Sequence, residues 1–147
     1  MRTILLLSLA LLGTVPLRAA TYGQKVVAAV LLAEARGEGE TGMMAVAEVI
    51  RHRADQKGVS MLAVVHAGAF SSLNGTTRDK LLRRFEHHPL FPEALRIARL
   101  AYNEPQKLRN LSHSATHFTD KDERPYWAEG HTPVAVIGNH TFYRLDG

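Results

Sequence analysis

Apolar residues recur at helical spacing through the first two thirds of the chain. The spacing of three and four places them on one face of each segment, as in an amphipathic or buried helix. Gly37 is a stop signal for the first segment, Thr41 is a candidate N-cap for the second, and Pro92 is suited to open the last. The pattern predicts five helices, over residues 22–36, 41–55, 61–67, 77–87 and 92–104.

The pattern changes after Leu111, where short apolar and β-branched runs alternate with turn residues. These runs predict three strands, over residues 116–119, 134–137 and 141–144. No internal repeat or linker divides the chain, and its 147 residues suit one core. The sequence therefore predicts an α+β domain with a mainly helical body, a small antiparallel sheet in the C-terminal third and a cleft between them.

Residues 1–20 have the pattern of an export signal. Arg2 is followed by an apolar run over residues 4–12 and by small residues, with cleavage expected after Ala19. The run is shorter than the roughly 20 residues that a membrane span needs, so we expect no stable membrane insertion. The expected product is one domain, residues 21–147, in the periplasm or outside the cell.

Charge and composition exclude few functions. Without residues 1–20, which include Arg2 and Arg18, the chain has 16 basic and 14 acidic residues. The basic residues are spread among acids, which argues against a nucleic-acid partner. The absence of cysteine means that no disulfide can stabilise the exported domain.

Glu34 is the first candidate for chemistry. It follows Val30 by four residues and Leu31 by three, so it projects from the buried face of the first predicted helix. Burial beside apolar groups favours the protonated carboxyl that a general acid needs. The alternative is a structural carboxylate paired with Arg36 or Arg53.

Several motifs in order add to this argument. Residues 34–38 read Glu-Ala-Arg-Gly-Glu, and Phe70-Ser71, Pro-Tyr-Trp at 125–127 and Ile-Gly-Asn-His at 137–140 follow before Phe142-Tyr143. This series resembles the SleB/CwlJ-type cell-wall hydrolases, the catalytic domains of spore-cortex-lytic enzymes, over nearly all of residues 21–147. The chain departs from the family pattern at His52, where an Asn is usual, and at Thr119, where a His is common.

The resemblance implies a lysozyme-like fold and cleavage of peptidoglycan glycan strands, as a lytic transglycosylase or a muramidase-type glycosidase. Glu34 would protonate the glycosidic oxygen and then, as a carboxylate, help the muramic acid's own 6-hydroxyl to close an anhydro ring, so that no second carboxylate nucleophile is required. No metal or other cofactor is expected. A hydrolase would need a second carboxylate, for which the candidates are Glu38, Asp120, Asp122 and Glu129.

The remaining site residues have supporting roles in this hypothesis. Glu38 is expected to cap or position the segment that follows it, and Arg53, on the inward face of the second helix, to pair with Glu34 or Glu38 unless it extends to solvent. Trp127 suits stacking on sugar faces. His140 and Tyr143 should face opposite sides of the last strand, with His140 in the site. The further supporting residues are Phe70, Ser71 and His117.

Two other functions stay open at this stage. The histidines at 113, 117, 131 and 140, with nearby acids, could bind zinc in an amidase. A cleft with aromatic residues could also bind wall glycan without cutting it. The lack of a wall-binding repeat suggests a targeting partner, and the sequence leaves the oligomeric state undetermined.

Overall fold

The computed structural model describes residues 18–145, so most of the predicted export signal lies outside the described residues. Within this range the chain is α+β, as predicted. Its helices are α1 (Tyr22–Ala35), α2 (Gly39–Lys57), α3 (Met61–Val64), α4 (Arg78–Phe85) and α5 (Phe91–Asn103). Its strands are β1 (His117–Asp120), β2 (Ala135–Ile137) and β3 (His140–Tyr143). No helix in residues 18–145 is long and apolar enough to cross a membrane.

Helix α1 is the centre of the helical body and packs against α2, α4 and α5. Thr21 and Gln24 form a capping box at its start, in which each side chain binds the other's backbone N–H. Every side chain from Val26 to Leu32 is fully buried, because neighbours cover the helix on all sides. The catalytic candidate Glu34 is therefore held in the last turn of a rigid element.

Several predicted helix boundaries are shifted by two or three residues, and two of these shifts have a visible cause. Helix α2 begins at Gly39 rather than after Thr41, since a 3-10 turn at Arg36–Glu38 leads directly from α1 into α2 and Thr41 is already inside the helix. Helix α3 ends at Val64 rather than near Ala67. The Arg78 guanidinium donates hydrogen bonds to the carbonyls of Leu62 and Val65, which satisfies acceptors at the end of this helix.

The sheet has the order β1-β3-β2, with both pairs antiparallel. Strand β1 is therefore an outer strand, and His140 at the start of β3 lies opposite Asp120 at the end of β1. A small apolar cluster of Ala45, Val49, Ala115 and Phe142 joins the sheet to α2.

Helix α2 also fixes the segment that enters β1. The fully buried Glu48 accepts hydrogen bonds from the backbone N–H groups of Leu111, at 3.0 Å, and Ser112, at 2.8 Å. One turn later, His52 Nδ1 lies 3.0 Å from the Ala115 carbonyl oxygen, to which it donates. A buried carboxylate needs such partners, and here they set the position of β1 relative to the helices.

Candidate active site

A cleft of about 260 Å³ lies between the end of α1, the segment after α3 and strand β1. Its walls combine carboxylates, a guanidinium and aromatic rings. They are formed by Glu34, Arg53, Ala69, Phe70, Ser71, Phe118, Thr119, Asp120, Glu123, Pro125, Trp127 and His140.

The half-buried Glu34 carboxylate is held by the residues after Phe70. Its Oε1 accepts a hydrogen bond from the Ser72 backbone N–H at 3.0 Å, and its Oε2 lies 3.4 Å from the Ser71 hydroxyl. The 3-10 turn Ser71–Leu73 presents both donors, and its buried Leu73 anchors the turn in the core. This turn therefore orients Glu34.

Arg53 extends from α2 into the cleft but forms no salt bridge with a carboxylate in the described range. Its Nε donates to the Thr116 carbonyl and its Nη1 to the Ala69 carbonyl at 3.2 Å, while the guanidinium lies 5.0 Å from the centre of the Phe70 ring. Burial lowers the pKa of Arg53, and the nearby Glu34 carboxylate opposes this shift. The predicted ion pair of Arg53 with Glu34 or Glu38 is wrong, because the Arg53 guanidinium donates to backbone carbonyls in two loops instead.

Glu38 lies behind the cleft and binds His140. Its Oε2 accepts from His140 Nδ1 at 2.8 Å and its Oε1 from the Asn139 backbone N–H at 2.7 Å. Added Cβ atoms would lie 2.4 Å from Glu38 Cβ at Gly42 and 2.8 Å from its Cγ at Gly138. The carboxylate therefore positions a turn that is distant in sequence, rather than capping the segment that directly follows it.

His140 connects Glu38 to the cleft. Its side chain is 7% exposed, and its Nε2 lies 3.4 Å from Oδ1 of the largely exposed Asp120. Because a carboxylate can only accept, the bond to Glu38 places a proton on Nδ1 and fixes the ring orientation. The Phe118 ring packs edge-on against the imidazole with 4.9 Å between ring centres.

The opposite wall contains a carboxylate that the sequence analysis did not select. Glu123 Oε2 accepts a hydrogen bond from the Thr119 hydroxyl at 3.1 Å, and both residues line the cleft. Asp120 also lines it, whereas the candidates Asp122 and Glu129 do not. The only feature of the sequence that pointed to Glu123 was its position soon after the predicted first strand.

Trp127 forms the end of this wall and is supported from behind. Its ring lies edge-on to Tyr143, with 5.5 Å between centres, and 5.2 Å from the His117 ring. Tyr143 does not line the cleft; it packs behind Trp127, on the sheet face opposite the one that carries His140.

His117 lies in a second groove of about 440 Å³ that shares Arg53, Phe118 and Trp127 with the cleft. Burial, followed by the charges of Arg53 and Lys57, lowers the pKa of His117 to about 4. The imidazole is therefore neutral near pH 7.

The histidines and acids proposed as zinc ligands do not converge. Across residues 18–145, no three His, Asp or Glu side chains are grouped so that they could hold a metal ion. His140 is bound by Glu38, and His117 is in the second groove. The arrangement gives no support to the zinc amidase.

A helical body and a small sheet therefore enclose a cleft that holds a carboxylate between aromatic walls. The chain belongs to the Cell Wall Hydrolase family, whose model matches residues 37–143. This family membership confirms the resemblance seen in the motifs, and cell-wall hydrolases act on peptidoglycan. Neither the curated proteins nor the solved structures contain a match. The matched range begins three residues after Glu34, so the family match does not include this residue. Support for a role of Glu34 comes from its geometry at the cleft.

Proposed function

We propose that this protein cleaves the glycan strand of peptidoglycan and that Glu34 is its general acid and base. The observation that carries the proposal is the placement of the Glu34 carboxylate at the cleft, where the Ser71 hydroxyl and the Ser72 N–H hold its two oxygens. A fixed carboxyl beside an open cleft can reach a glycosidic oxygen.

In the first step Glu34 donates its proton to the oxygen that leaves, and the bond between that oxygen and the anomeric carbon breaks. The sugar develops positive charge at the anomeric carbon, close to the newly formed carboxylate. Glu34 then accepts a proton from the attacking hydroxyl. In a lytic transglycosylase this hydroxyl is the 6-hydroxyl of the same muramic acid, and an anhydro ring forms. In a retaining glycosidase a second carboxylate first bonds to the anomeric carbon as the leaving oxygen departs, and the hydroxyl belongs to the water that then displaces this carboxylate.

The other cleft residues bind and orient the strand in this proposal. Phe118 and Trp127 offer apolar ring surface to sugar faces, and His140 offers one ring nitrogen to a sugar hydroxyl or acetamido group. Arg53 ties together the two loops that carry Phe70 and Thr116. Glu38 and Tyr143 act indirectly, through His140 and Trp127.

The two possible reactions differ in whether a second carboxylate takes part, since a glycosidase needs one and a lytic transglycosylase does not. Asp120 and Glu123 face the cleft that Glu34 lines, and either would be the partner of a glycosidase. A transglycosylase needs neither as a nucleophile.

The decisive experiment is mass spectrometry of the soluble products released from peptidoglycan by the purified protein and by Glu34→Gln. Anhydro-muramic ends that disappear with Glu34→Gln support a transglycosylase, whereas reducing ends support hydrolysis. The exposed Glu86→Gln is the matched control and should keep full activity. Released peptides that a chelator abolishes would instead support an amidase, and a lack of any product would favour a wall-binding protein.

Export through residues 1–20 is part of the proposal, because the wall lies outside the cytoplasm. Edman sequencing of the protein recovered from a periplasmic or culture fraction should begin at Ala20. A chain that starts at Met1 and stays with the cytoplasmic fraction would contradict export.

A further inference from the structure

The second groove differs from the catalytic cleft in its charge. The cleft carries three carboxylates, those of Glu34, Asp120 and Glu123. No acidic residue is among those that line the groove, which has the cations Arg53 and Lys57 and the neutral polar residue Gln56. The continuous surface therefore has an acidic half and a basic half.

The two halves share walls. Arg53, Ala69, Phe118 and Trp127 line both, so a polymer that lies in the cleft continues directly into the groove. The groove is the larger space, at about 440 Å³ against about 260 Å³. Tyr126 at its rim is 85% exposed, and no packing in the described chain accounts for this aromatic side chain.

The positive charge in the groove is available to a ligand. Lys57, the last residue of α2, is exposed and has no salt-bridge partner among residues 18–145. Arg53 forms no salt bridge among residues 18–145, since its Nε and Nη1 donate to backbone carbonyls. Burial is the main cause that lowers the pKa of the neighbouring His117, and the charges of Arg53 and Lys57 add to the shift, which places both cations close to this part of the groove.

We propose that this groove binds the acidic stem peptide of the peptidoglycan strand, so that the protein acts on strands that still carry peptides in preference to bare glycan. The inference rests on the proposed glycan-cleaving function and deepens it. A muramic acid in the cleft projects its lactyl side chain away from the sugar ring, and the attached peptide bears carboxylates. Lys57 and Arg53 would attract those carboxylates, and Tyr126 and Trp127 would cover the apolar parts of the peptide.

The test compares glycan oligosaccharides of one length, with and without their stem peptides. For both substrates, kcat/KM is measured with the wild-type protein and the dissociation constant is measured with Glu34→Gln. We expect a preference for the peptide-bearing form of about three- to fivefold, the range of a partly exposed charge pair. The preference should shrink at 0.5 M salt because ions screen exposed charges.

Lys57→Gln should bring the ratio of the two substrates close to one, and Lys57→Arg should restore it. The matched control is Lys25→Gln, an exposed lysine on α1 that does not line the groove and also lacks a salt bridge in the described range. It should keep the wild-type ratio.

Equal kcat/KM and equal binding of the two substrates would overturn the inference, as would an effect of Lys25→Gln as large as that of Lys57→Gln. Failure of the proposed function has a different signature. The wild type would then cleave neither substrate, while Glu34→Gln could still bind the peptide-bearing form more tightly in a Lys57-dependent manner.

Discussion

Glu38 Oε2 lies 2.8 Å from His140 Nδ1, although the two residues are 102 positions apart in the chain. The pair joins the turn between α1 and α2 to the start of β3. The imidazole of His140 also lines the cleft. The partly buried Glu38 carboxylate thus sets the orientation of a side chain that faces the cleft.

Glu38→Gln should destabilise the fold and reduce activity. The two oxygens of Glu38 accept bonds from the Asn139 N–H and His140 Nδ1, whereas a glutamine side chain has one acceptor oxygen and would oppose one of these donors with its NH₂. We expect a loss of about 2 kcal/mol in the free energy of unfolding, measured by urea denaturation. The control Glu40→Gln removes an exposed ion pair with Arg96 and should cost less than about 0.5 kcal/mol. Equal losses in the two variants would argue against a special role for Glu38.

Gly138→Ala should destabilise the fold by more than the cost of placing an alanine at positive φ, because the added Cβ would also clash with Glu38. Gly138 has φ +57°, and a Cβ there would lie 2.8 Å from the Glu38 side chain. Gly130 has φ +75° with no atom within 4 Å of an added Cβ, so Gly130→Ala reports only the backbone cost of about 1 kcal/mol. Thermal or urea unfolding should show an additional loss of about 1 to 3 kcal/mol for Gly138→Ala. Similar values for both variants would mean that the turn moves away from Glu38 at little cost.

Arg53→Lys should lower stability despite keeping the charge. A lysine cannot reach the Thr116 and Ala69 carbonyls together in the planar geometry of a guanidinium. We expect a loss of about 1 to 3 kcal/mol from the buried acceptors left unpaired, with reduced activity. Arg51→Lys, two residues earlier, changes an ion pair with Asp55 at the helix surface and should have little effect. A stable and fully active Arg53→Lys variant would show that the guanidinium is not needed to position the two loops.

His117 should make stability depend on pH. The pKa of His117 is about 4 in the folded protein, below its ordinary value of 6.5, because of burial and the charges of Arg53 and Lys57. As the pH falls from about 6.5 to 4, the unfolded chain takes up the proton first, so the free energy of unfolding decreases over this window. The half-exposed side chain limits the loss to on the order of 1 to 2 kcal/mol.

The measurement is urea denaturation at pH 7 and pH 4.5. His117→Asn should lose less stability than the wild type between these two values, while His87→Asn, which removes a 91% exposed histidine, should follow the wild type. A His117→Asn variant with the wild-type pH dependence would contradict the assignment.

The elements could be predicted from the sequence because their signals are local. Thr21 caps α1, Ser60 caps α3, and all five helices and three strands lie within a few residues of the predicted positions. At the end of α3 the error falls where a distant residue contacts the boundary, since Arg78 binds the carbonyls there, whereas the start of α2 is shifted by the 3-10 turn that precedes it.

The candidate site was predicted in part. The helical spacing of Glu34 and the motif around it pointed to the end of α1, and the cleft there brings Glu34 together with Arg53, Phe70, Ser71, Trp127 and His140. Glu123 was missed because only its bond with Thr119 brings it to the cleft. The fully buried Glu48 was also missed, since its partners lie 63 and 64 residues away.

The sequence by itself determined the α+β class, the order of the elements and the family, because periodicity, caps and motif order depend on near neighbours along the chain. Only the tertiary structure decided which carboxylates face the cleft, that Arg53 binds carbonyls, and that Glu38 holds His140. The physical reason is that a buried polar group must find partners, and which donors and acceptors lie within 3 Å depends on how helices and sheet pack.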